Sequence, residues 1–402
     1  MDENHLLYYI PNRDRKKTIL HIPESHNLHI CPLACGRRNA IRALQNREKD
    51  QHSFLYITEE DAISGEYVEN IGAAVEELLA LLEPTPRAII LHFNCIDDFL
   101  GTDEKALLRQ LGLRFPSLRF IVCRVNPIAA DEGVSQGMRK HQQMYGLLEY
   151  TGKKDDGINM IGNYVPIDEN SELFPVLTGW GIHRVRQLFS CRTFEEYQAL
   201  ADSRLNLVLM PMGKLAAQDM AERLDIPWHF NPPAYDMNEV LENYRNLANI
   251  LGKSCPDFHH EIAETALTIK TAREKAGSIP VIVDSSASMR PFALAKALDG
   301  YGFCVAAVLA PHAPKDDLED REWLKYHCPQ IKVVQREGVK AISGYGWSRE
   351  YIAIGHDCAF ILKANHFVDI FNDESFYGFH GIRKLMGMIS KASGTKILWK
   401  ST

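Results

Sequence analysis

Two short segments of the chain carry cysteines at a spacing that could bind a metal. Cys31 and Cys35 lie four positions apart, with a proline between them, in the segment His29–Gly36, and Cys95 lies near the start of the segment Asn94–Asp103. Thiolates are soft ligands that suit iron–sulfur clusters, and a turn at the proline would let Cys31 and Cys35 face one cluster. The pattern therefore predicts a metal site that these three cysteines share.

A zinc site is the alternative for the first segment. His26 and His29 precede the two cysteines, and the pattern His-x2-His-x-Cys-x3-Cys could supply four tetrahedral ligands. Spacing alone supports zinc and an iron–sulfur cluster about equally. We also predict that Gly36 binds the cofactor. The helix expected after it would direct its backbone N–H groups and the positive end of its dipole at the thiolates, which stabilises their negative charge.

The other six of the nine cysteines are not assigned to this site. A lone cysteine is often buried as a small apolar group, and we expect this of Cys123, Cys304 and Cys358, which lie within or beside predicted strands. Cys191, Cys255 and Cys328 receive no role. In a long chain with an odd number of cysteines, free thiols or metal ligands of a cytosolic protein are favoured over a disulfide framework.

The elements that must position these cysteines alternate between strands and helices. Short apolar, β-branched runs recur with helical patterns between them, which is typical of βαβ units with parallel sheets. Ligands bind such folds at the carboxyl ends of strands, so cysteines that directly follow strands are the ones of interest. The predicted strands are Thr18–Ile22, Phe54–Ile57, Ala88–Phe93, Phe120–Cys123, Ile158–Ile161, Leu205–Leu209, Pro280–Val283, Phe303–Leu309 and Ala359–Leu362.

Helical periodicity and polar linkers divide the chain into three Rossmann-like lobes. Apolar residues recur every three or four positions from Val68 to Leu82, which predicts a helix against the first sheet. Further helices are predicted at Arg37–Gln45, Met237–Leu251 and Pro256–Ala276. We expect an α/β fold of mostly parallel sheets, with lobes at 1–150, 151–255 and 256–402, the last opening with the long helix.

Composition excludes several classes of protein. The net charge of -7 arises from 45 basic and 52 acidic residues without a basic block, so nucleic acid is not expected as a partner. No apolar run reaches the roughly 18 to 20 residues of a membrane span, and no apolar signal core opens the chain, so we expect a cytoplasmic protein. The chain also lacks the Gly-x4-Gly-Lys-Ser/Thr and Gly-x-Gly-x-x-Gly patterns that bind nucleotides.

Taken in order, the motifs resemble the nitrogenase component 1 family, which includes nitrogenase-like reductases such as dark protochlorophyllide reductase. Pro32–Cys35 resembles the end of the family's Pro-x-Gly-Cys element, and Cys95–Asp103 its cysteine followed by a Gly-Asp turn. The gap of 60 positions (95 minus 35) is similar to the family's spacing. Weaker similarities are found at Glu59–Glu66, Asn159–Gly162, Pro280–Asp284 and Phe376–Gly381.

The resemblance implies an iron–sulfur cluster, 4Fe–4S or larger, held by Cys35, Cys95 and Cys31. Family members carry a further cysteine upstream, whereas residues 1–30 contain none, so Cys31 is assigned as its replacement. A fourth ligand would come from a partner chain, an aspartate or a small molecule. The implied partners are an ATP-dependent iron-protein and a second chain, either identical or paralogous.

Three functions are consistent with the sequence. The first is a subunit of a nitrogenase-like oxidoreductase that passes low-potential electrons to a substrate, with His380, in a Gly-rich turn, as the candidate proton donor. The second is a scaffold for iron–sulfur cofactor assembly without substrate turnover. The third is a zinc-stabilised binding protein. The substrate cannot be read from local motifs.

Overall fold

The computed structural model describes residues 22–124, 134–311, 313–334, 348–372 and 375–397. The described strands are β1 Ser25–Cys31, β2 His52–Tyr56, β3 Ala88–Phe93, β4 Arg119–Arg124, β5 Ile158–Ile161, β6 Val185–Gln187, β7 Leu205–Val208, β8 Trp228–Phe230, β9 Val281–Asp284, β10 Val305–Leu309, β11 Lys332–Val334, β12 Ile352–Ile354 and β13 His366–Val368. The described α-helices are α1 Leu33–Gln45, α2 Glu59–Ser64, α3 Tyr67–Leu81, α4 Cys95–Leu100, α5 Glu104–Arg114, α6 Gln136–Met144, α7 Leu173–Gly179, α8 Phe194–Gln198, α9 Lys214–Leu224, α10 Met237–Ile250, α11 His259–Ala276, α12 Pro291–Gly300, α13 Leu318–His327, α14 His356–Leu362 and α15 Gly378–Ser393.

These strands form three parallel sheets, and helices lie between the consecutive strands whose connections the structure describes. The strand orders are β2-β1-β3-β4, β6-β5-β7-β8 and β11-β10-β9-β12-β13. In each sheet the earliest strand lies inside, and the chain builds outward first on one side and then on the other. This is the doubly wound order, and it confirms the predicted α/β class with Rossmann-like parallel sheets.

The described residues form two compact units. One comprises residues 22–164 and 182–230 and contains the first two sheets, and the other comprises residues 165–181 and 231–397 and contains the third. In the first unit, apolar side chains of both sheets and of α6 and α9 share one buried cluster. None of the helices that the structure describes is long and apolar enough to cross a membrane.

The strongest sequence patterns are confirmed. β3 and β5 have the predicted bounds, and β3 is buried at every position except the half-buried His92. The predicted stripe from Val68 to Leu82 is α3, whose buried face includes Ile71 and Val75 against the first sheet. The helices predicted near the end of the second lobe and the start of the third are α10 and α11.

Two predictions around the strand ends are wrong. The segment of Cys31 and Cys35 does not form the loop expected from a turn at Pro32, because Cys31 is the last residue of β1 and Cys35 lies in the first turn of α1. Cys95 lies just past β3, as expected, and is the first residue of the short helix α4. The run Ala359–Leu362, predicted as a strand, is the second half of the helix α14. This helix begins at His356, directly after Gly355, whose φ of 108° favours glycine. The strand predicted at 18–22 lies outside the described residues except for Ile22.

The cysteines assigned to packing have mixed outcomes. Cys123 in β4 is 1% exposed and belongs to the core of the first unit, as predicted. Cys358 is also fully buried, although within α14 rather than a strand. Cys304 is exposed, so its prediction is wrong, because it lies in the turn before β10 rather than within the strand.

Candidate functional site

The cysteines of the first sheet lie at the point where the strand order reverses. β1 pairs with β2 on one side and with β3 on the other, and its register with β3 ends at Ile30 opposite Phe93. Ligands of doubly wound sheets bind outside the carboxyl ends of the strands at this reversal. Cys31 ends one of these two strands, and Cys95 comes two residues after the end of the other.

The three cysteines have different environments. Cys31 is buried, whereas Cys35 is exposed and Cys95 is half-buried. Burial, and to a smaller extent the nearby Cys35 thiol, raise the pKa of the Cys31 thiol to about 11. A thiol with a raised pKa is a poor nucleophile and gives up its proton to a metal less readily. The accessible thiols of this edge are therefore Cys35 and Cys95.

A complete metal site is not formed by the described residues of one chain. No three histidine, cysteine, aspartate or glutamate side chains in this part of the protein are grouped so that they could hold a metal ion. His26 and His29 are three positions apart in β1, so they project to opposite faces of the sheet, which counts against the predicted zinc set. Two accessible thiols at an open edge fit a metal group that a second chain helps to hold.

Gly36 packs against the sheet rather than presenting its N–H group to the cysteines. Its N–H, like that of Cys35, donates to the carbonyl oxygen of Pro32, at 3.1 Å, so it is already used inside α1. A Cβ atom at Gly36 would lie 2.9 Å from Tyr56 Cε1, 3.0 Å from Cys31 Sγ and 3.2 Å from Phe54 Cδ1. The glycine therefore lets α1 approach the sheet, and its predicted role as an N–H donor to the cofactor is corrected.

Replacing Gly36 by alanine is expected to destabilise the protein by about 1–3 kcal/mol, because the new methyl group overpacks the contact between α1 and the sheet. Gly112 in α5 is the matched control, since no atom lies within 4 Å of the position that a methyl group would take there. Gly112→Ala should instead stabilise its helix by roughly 0.5–1 kcal/mol. Thermal unfolding followed by circular dichroism checks both variants, and equal shifts of Tm would contradict the packing role of Gly36.

A buried ionic network holds the helix that begins with Cys95. Asp97 in α4 is fully buried, and its carboxylate accepts hydrogen bonds from Tyr67 Oη at 2.7 Å and from Thr102 Oγ1 at 2.5 Å. Arg124, at the end of β4, donates to the second oxygen of Asp97 and to Glu104 Oε2 at 3.4 Å. The network ties α4 to β4 and α3, and so fixes the backbone from which Cys95 projects.

Histidines fill one layer beneath α1, which the sequence analysis missed. The ring of His29 stacks on those of His92, Phe54 and His52, with centroid distances of 4.5, 4.8 and 5.3 Å. His29 Nε2 lies 3.0 Å from His52 Nδ1, so one proton is shared along that hydrogen bond. The signal was present in the sequence, because His29, His52 and His92 fall on three successive strands.

Burial keeps these imidazoles neutral. It lowers the pKa of His29 to about 3, with smaller contributions from His52 and His26, and it lowers the pKa of His52 to about 4. The His92 pKa is also lowered, mainly because the ring is buried. Neutral rings can stack and share one proton without charge repulsion, so the layer supports the packing of α1 near neutral pH.

The first unit is expected to lose stability as the pH falls below about 6.5. The pKa of His52 is 6.5 in the unfolded chain and about 4 in the folded one, so the unfolded chain binds more protons between these values. The stability present above pH 6.5 is therefore lost as the pH falls through this window, by about 3 kcal/mol for this histidine. Urea unfolding across the window measures the slope, which should be shallower in His52→Phe, and an identical slope would contradict this assignment.

His380, the candidate proton donor, lies in the unit that contains the third sheet. It is the third residue of α15 rather than part of a turn, and its backbone N–H donates to Glu172 Oε2 at 2.9 Å. Its ring nitrogen Nε2 is 3.4 Å from Asp168 Oδ2, which also accepts a hydrogen bond from Lys384 at 2.7 Å. A role of His380 in proton transfer remains a prediction.

Comparison with known proteins identifies the family. The model of the nitrogenase component 1 type oxidoreductases matches residues 22–393. The chain belongs to the nitrogenase component 1 family. It is 24% identical over 199 residues to the nitrogenase iron-molybdenum cofactor biosynthesis protein NifE of Clostridium pasteurianum, which covers 49% of this chain and 42% of that protein. The match therefore spans less than half the length of this curated relative.

Solved structures show the same fold. Nitrogenase Cp1 at pH 6.5 matches with a TM-score of 0.71 and 16% identity over 93% of this chain and 89% of that one. Nitrogenase Cp1 at pH 5 matches with a TM-score of 0.58 and 15% identity over 92% and 85%. Proteins of the nitrogenase component 1 family generally bind iron–sulfur clusters and pair with an iron-protein.

Proposed function

We propose that this chain is an iron–sulfur-binding subunit of a nitrogenase-like oxidoreductase, with Cys35 and Cys95 on one side of a cluster and a second chain on the other. The observation that carries the proposal is the position of two accessible thiols at the strand reversal of the first sheet. When bound, an iron–sulfur cluster supplies one-electron transfer at low potential. The cluster proposed is 4Fe–4S or larger.

A partner chain is proposed because the edge that carries the cysteines exposes large apolar side chains. Leu33 follows β1 and is 65% exposed, Ile63 follows β2 and is 88% exposed, and Phe99 follows β3 and is 80% exposed. These residues follow the carboxyl ends of neighbouring parallel strands, so they belong to the same edge. Such apolar surface is typical of protein–protein contacts. A second copy or a paralogue that covers it would supply the missing ligands.

An ATP-dependent iron-protein is proposed as the electron donor. The chain lacks the phosphate-binding loop that would let it couple ATP hydrolysis to electron transfer by itself. The family pairs with such a protein, which supports this part of the proposal. Electrons would pass from the cluster to a substrate, to which His380 is the proposed proton donor.

A Cys31→Ala variant tests whether this chain contributes two thiolate ligands to the cluster or three. Burial and the raised pKa of the thiol support a packing role, so we expect Cys31→Ala to keep its iron and to lose about 1 kcal/mol of stability. The measurement is iron per chain in the anaerobically purified complex. Loss of iron comparable to that in a Cys35→Ala variant would restore Cys31 to the ligand set and contradict the packing role.

A cofactor-assembly scaffold is the second candidate, and the similarity to NifE favours it. A scaffold would hold an iron–sulfur cofactor with the same thiols and release it to another protein. The two functions differ in turnover, because only the oxidoreductase subunit consumes electrons from the iron-protein in the presence of ATP and a small-molecule substrate. A scaffold would instead transfer its iron to an apoprotein acceptor.

The experiment that tests the proposal is metal and sulfide analysis of the chain, co-expressed with a candidate partner and purified without oxygen. Iron with a matching amount of acid-labile sulfide is the expected result, together with ATP-dependent electron consumption when the iron-protein is added. Iron that is transferred without such consumption would favour the scaffold. Zinc without sulfide would refute both and leave the zinc-stabilised binding protein.

A further inference from the structure

Asn94 has a buried side-chain amide that no described residue of the chain uses. It is the N-cap residue of α4, a position where asparagine normally accepts a hydrogen bond from the helix, yet its side chain makes no such bond. Both Nδ2 and Oδ1 are buried and have no hydrogen-bond partner among the residues that the structure describes. Buried amides are almost always paired, so an orphaned one calls for an explanation such as an unseen ligand.

Asn94 directly follows β3, on the same face of the first sheet as Cys31 at the end of β1. The stacked rings of His29 and His92, opposite each other in β1 and β3, show that these register positions project to one face of the sheet. Two residues further along each strand, Cys31 and Asn94 project to the same face, because the backbone at Asn94 is still extended. Asn94 also directly precedes Cys95 in the chain.

We infer that Asn94 is a binding residue for the metal group, and that its Nδ2 donates a hydrogen bond to a sulfur atom of the cluster held by Cys35 and Cys95. This rests on the proposed function. The sulfurs of an iron–sulfur cluster become more negative on reduction, so an N–H donor stabilises the reduced state and raises the reduction potential. Asn94 contributes no bond to iron, and the cluster stays in place without it.

Asn231 offers a matched control. It directly follows β8, as Asn94 directly follows β3, and it is 1% exposed with both amide atoms unpaired. It belongs to the other compact unit and does not adjoin the cysteines in the sequence. Asn231→Leu therefore reproduces the loss of an orphaned amide without removing the proposed donor.

The first measurement uses the metal-free protein. Asn94→Leu should leave its Tm unchanged or raise it, because the amide has no partner to lose and leucine is of similar size. A Tm that falls in Asn94→Leu but not in Asn231→Leu would show that Asn94 already has a structural partner, and would overturn the inference.

The second measurement is an EPR-monitored redox titration of the anaerobically purified complex. Asn94→Leu and Asn94→Asp should keep their iron while the reduction equilibrium becomes about tenfold less favourable, which is a negative shift of ~59 mV for one electron. Asn231→Leu should titrate like the wild type. An unchanged potential, an equal shift in the control, or loss of iron from Asn94→Leu would each overturn the inference, while the proposed function would stand. A wild-type complex without iron would refute both.

Discussion

Replacing Cys95 by alanine is expected to abolish iron binding. Cys95 is one of two accessible thiols at the strand reversal of the first sheet, and its helix is fixed by the buried Asp97. A cluster that loses one thiolate exposes an iron to water and becomes unstable, so the iron content should fall at least about tenfold. The measurement is iron and acid-labile sulfide per chain after anaerobic purification, together with the visible absorbance of the cluster.

Cys123→Ala is the control for this variant. Cys123 belongs to the same sheet, but it is 1% exposed in the core, and burial raises the pKa of its thiol to about 11. The variant should lose roughly 1 kcal/mol of stability through packing and keep its iron. Retention of iron by Cys95→Ala, or equal losses in the two variants, would remove Cys95 from the site.

Replacing Asp97 by alanine is expected to cost about 3–5 kcal/mol, because it leaves Arg124 without its buried partner. The hydroxyl groups of Tyr67 and Thr102 also lose their acceptor. The loss should be concentrated where α4 joins the sheet, and iron binding should weaken with it. Thermal unfolding measures the total, and hydrogen exchange of peptides from residues 94–102 locates it.

Asp98→Ala is the neighbouring control. Asp98 also lies 3.3 Å from Arg124, but its side chain is 26% exposed, and among the described residues this is its one ion pair. Its removal should cost at most about 1 kcal/mol. If Asp97→Ala were no worse than Asp98→Ala, or if hydrogen exchange around α4 stayed slow, the network would not be what positions Cys95.

The sequence was sufficient for the fold class and for the longest elements. β3 is apolar at every position except His92 because it is covered on both faces, and α3 carries a regular apolar stripe because only one face is buried. These patterns follow directly from burial, so periodicity identifies them. The resemblance carried by the two cysteine motifs added the family, which the family model confirms.

β1 was not predicted, because half of its buried positions are polar. Asn27 and His29 lie inside the fold, where they are satisfied by neighbours on other strands, such as His52 and His92. A run of histidines and asparagine does not look like a buried strand when each residue is considered alone. The partners that make such burial possible come from distant parts of the chain.

The candidate site, like the fold, could be predicted from the sequence only in part. Only the position of Cys95 just past a buried strand could be predicted from local patterns, since β1 was not predicted. The difference between buried Cys31 and exposed Cys35 could not, because it depends on how closely α1 approaches the sheet at Gly36. The orphaned amide of Asn94 was equally hidden, since only the three-dimensional neighbourhood reveals that it has no partner.

Anomalous diffraction at the iron absorption edge, from crystals of the anaerobically purified complex, tests most directly whether two thiols of the first sheet share one metal centre. A peak within bonding distance of both Cys35 Sγ and Cys95 Sγ is the predicted result. Iron bound to only one of these sulfurs, or to neither, would contradict it.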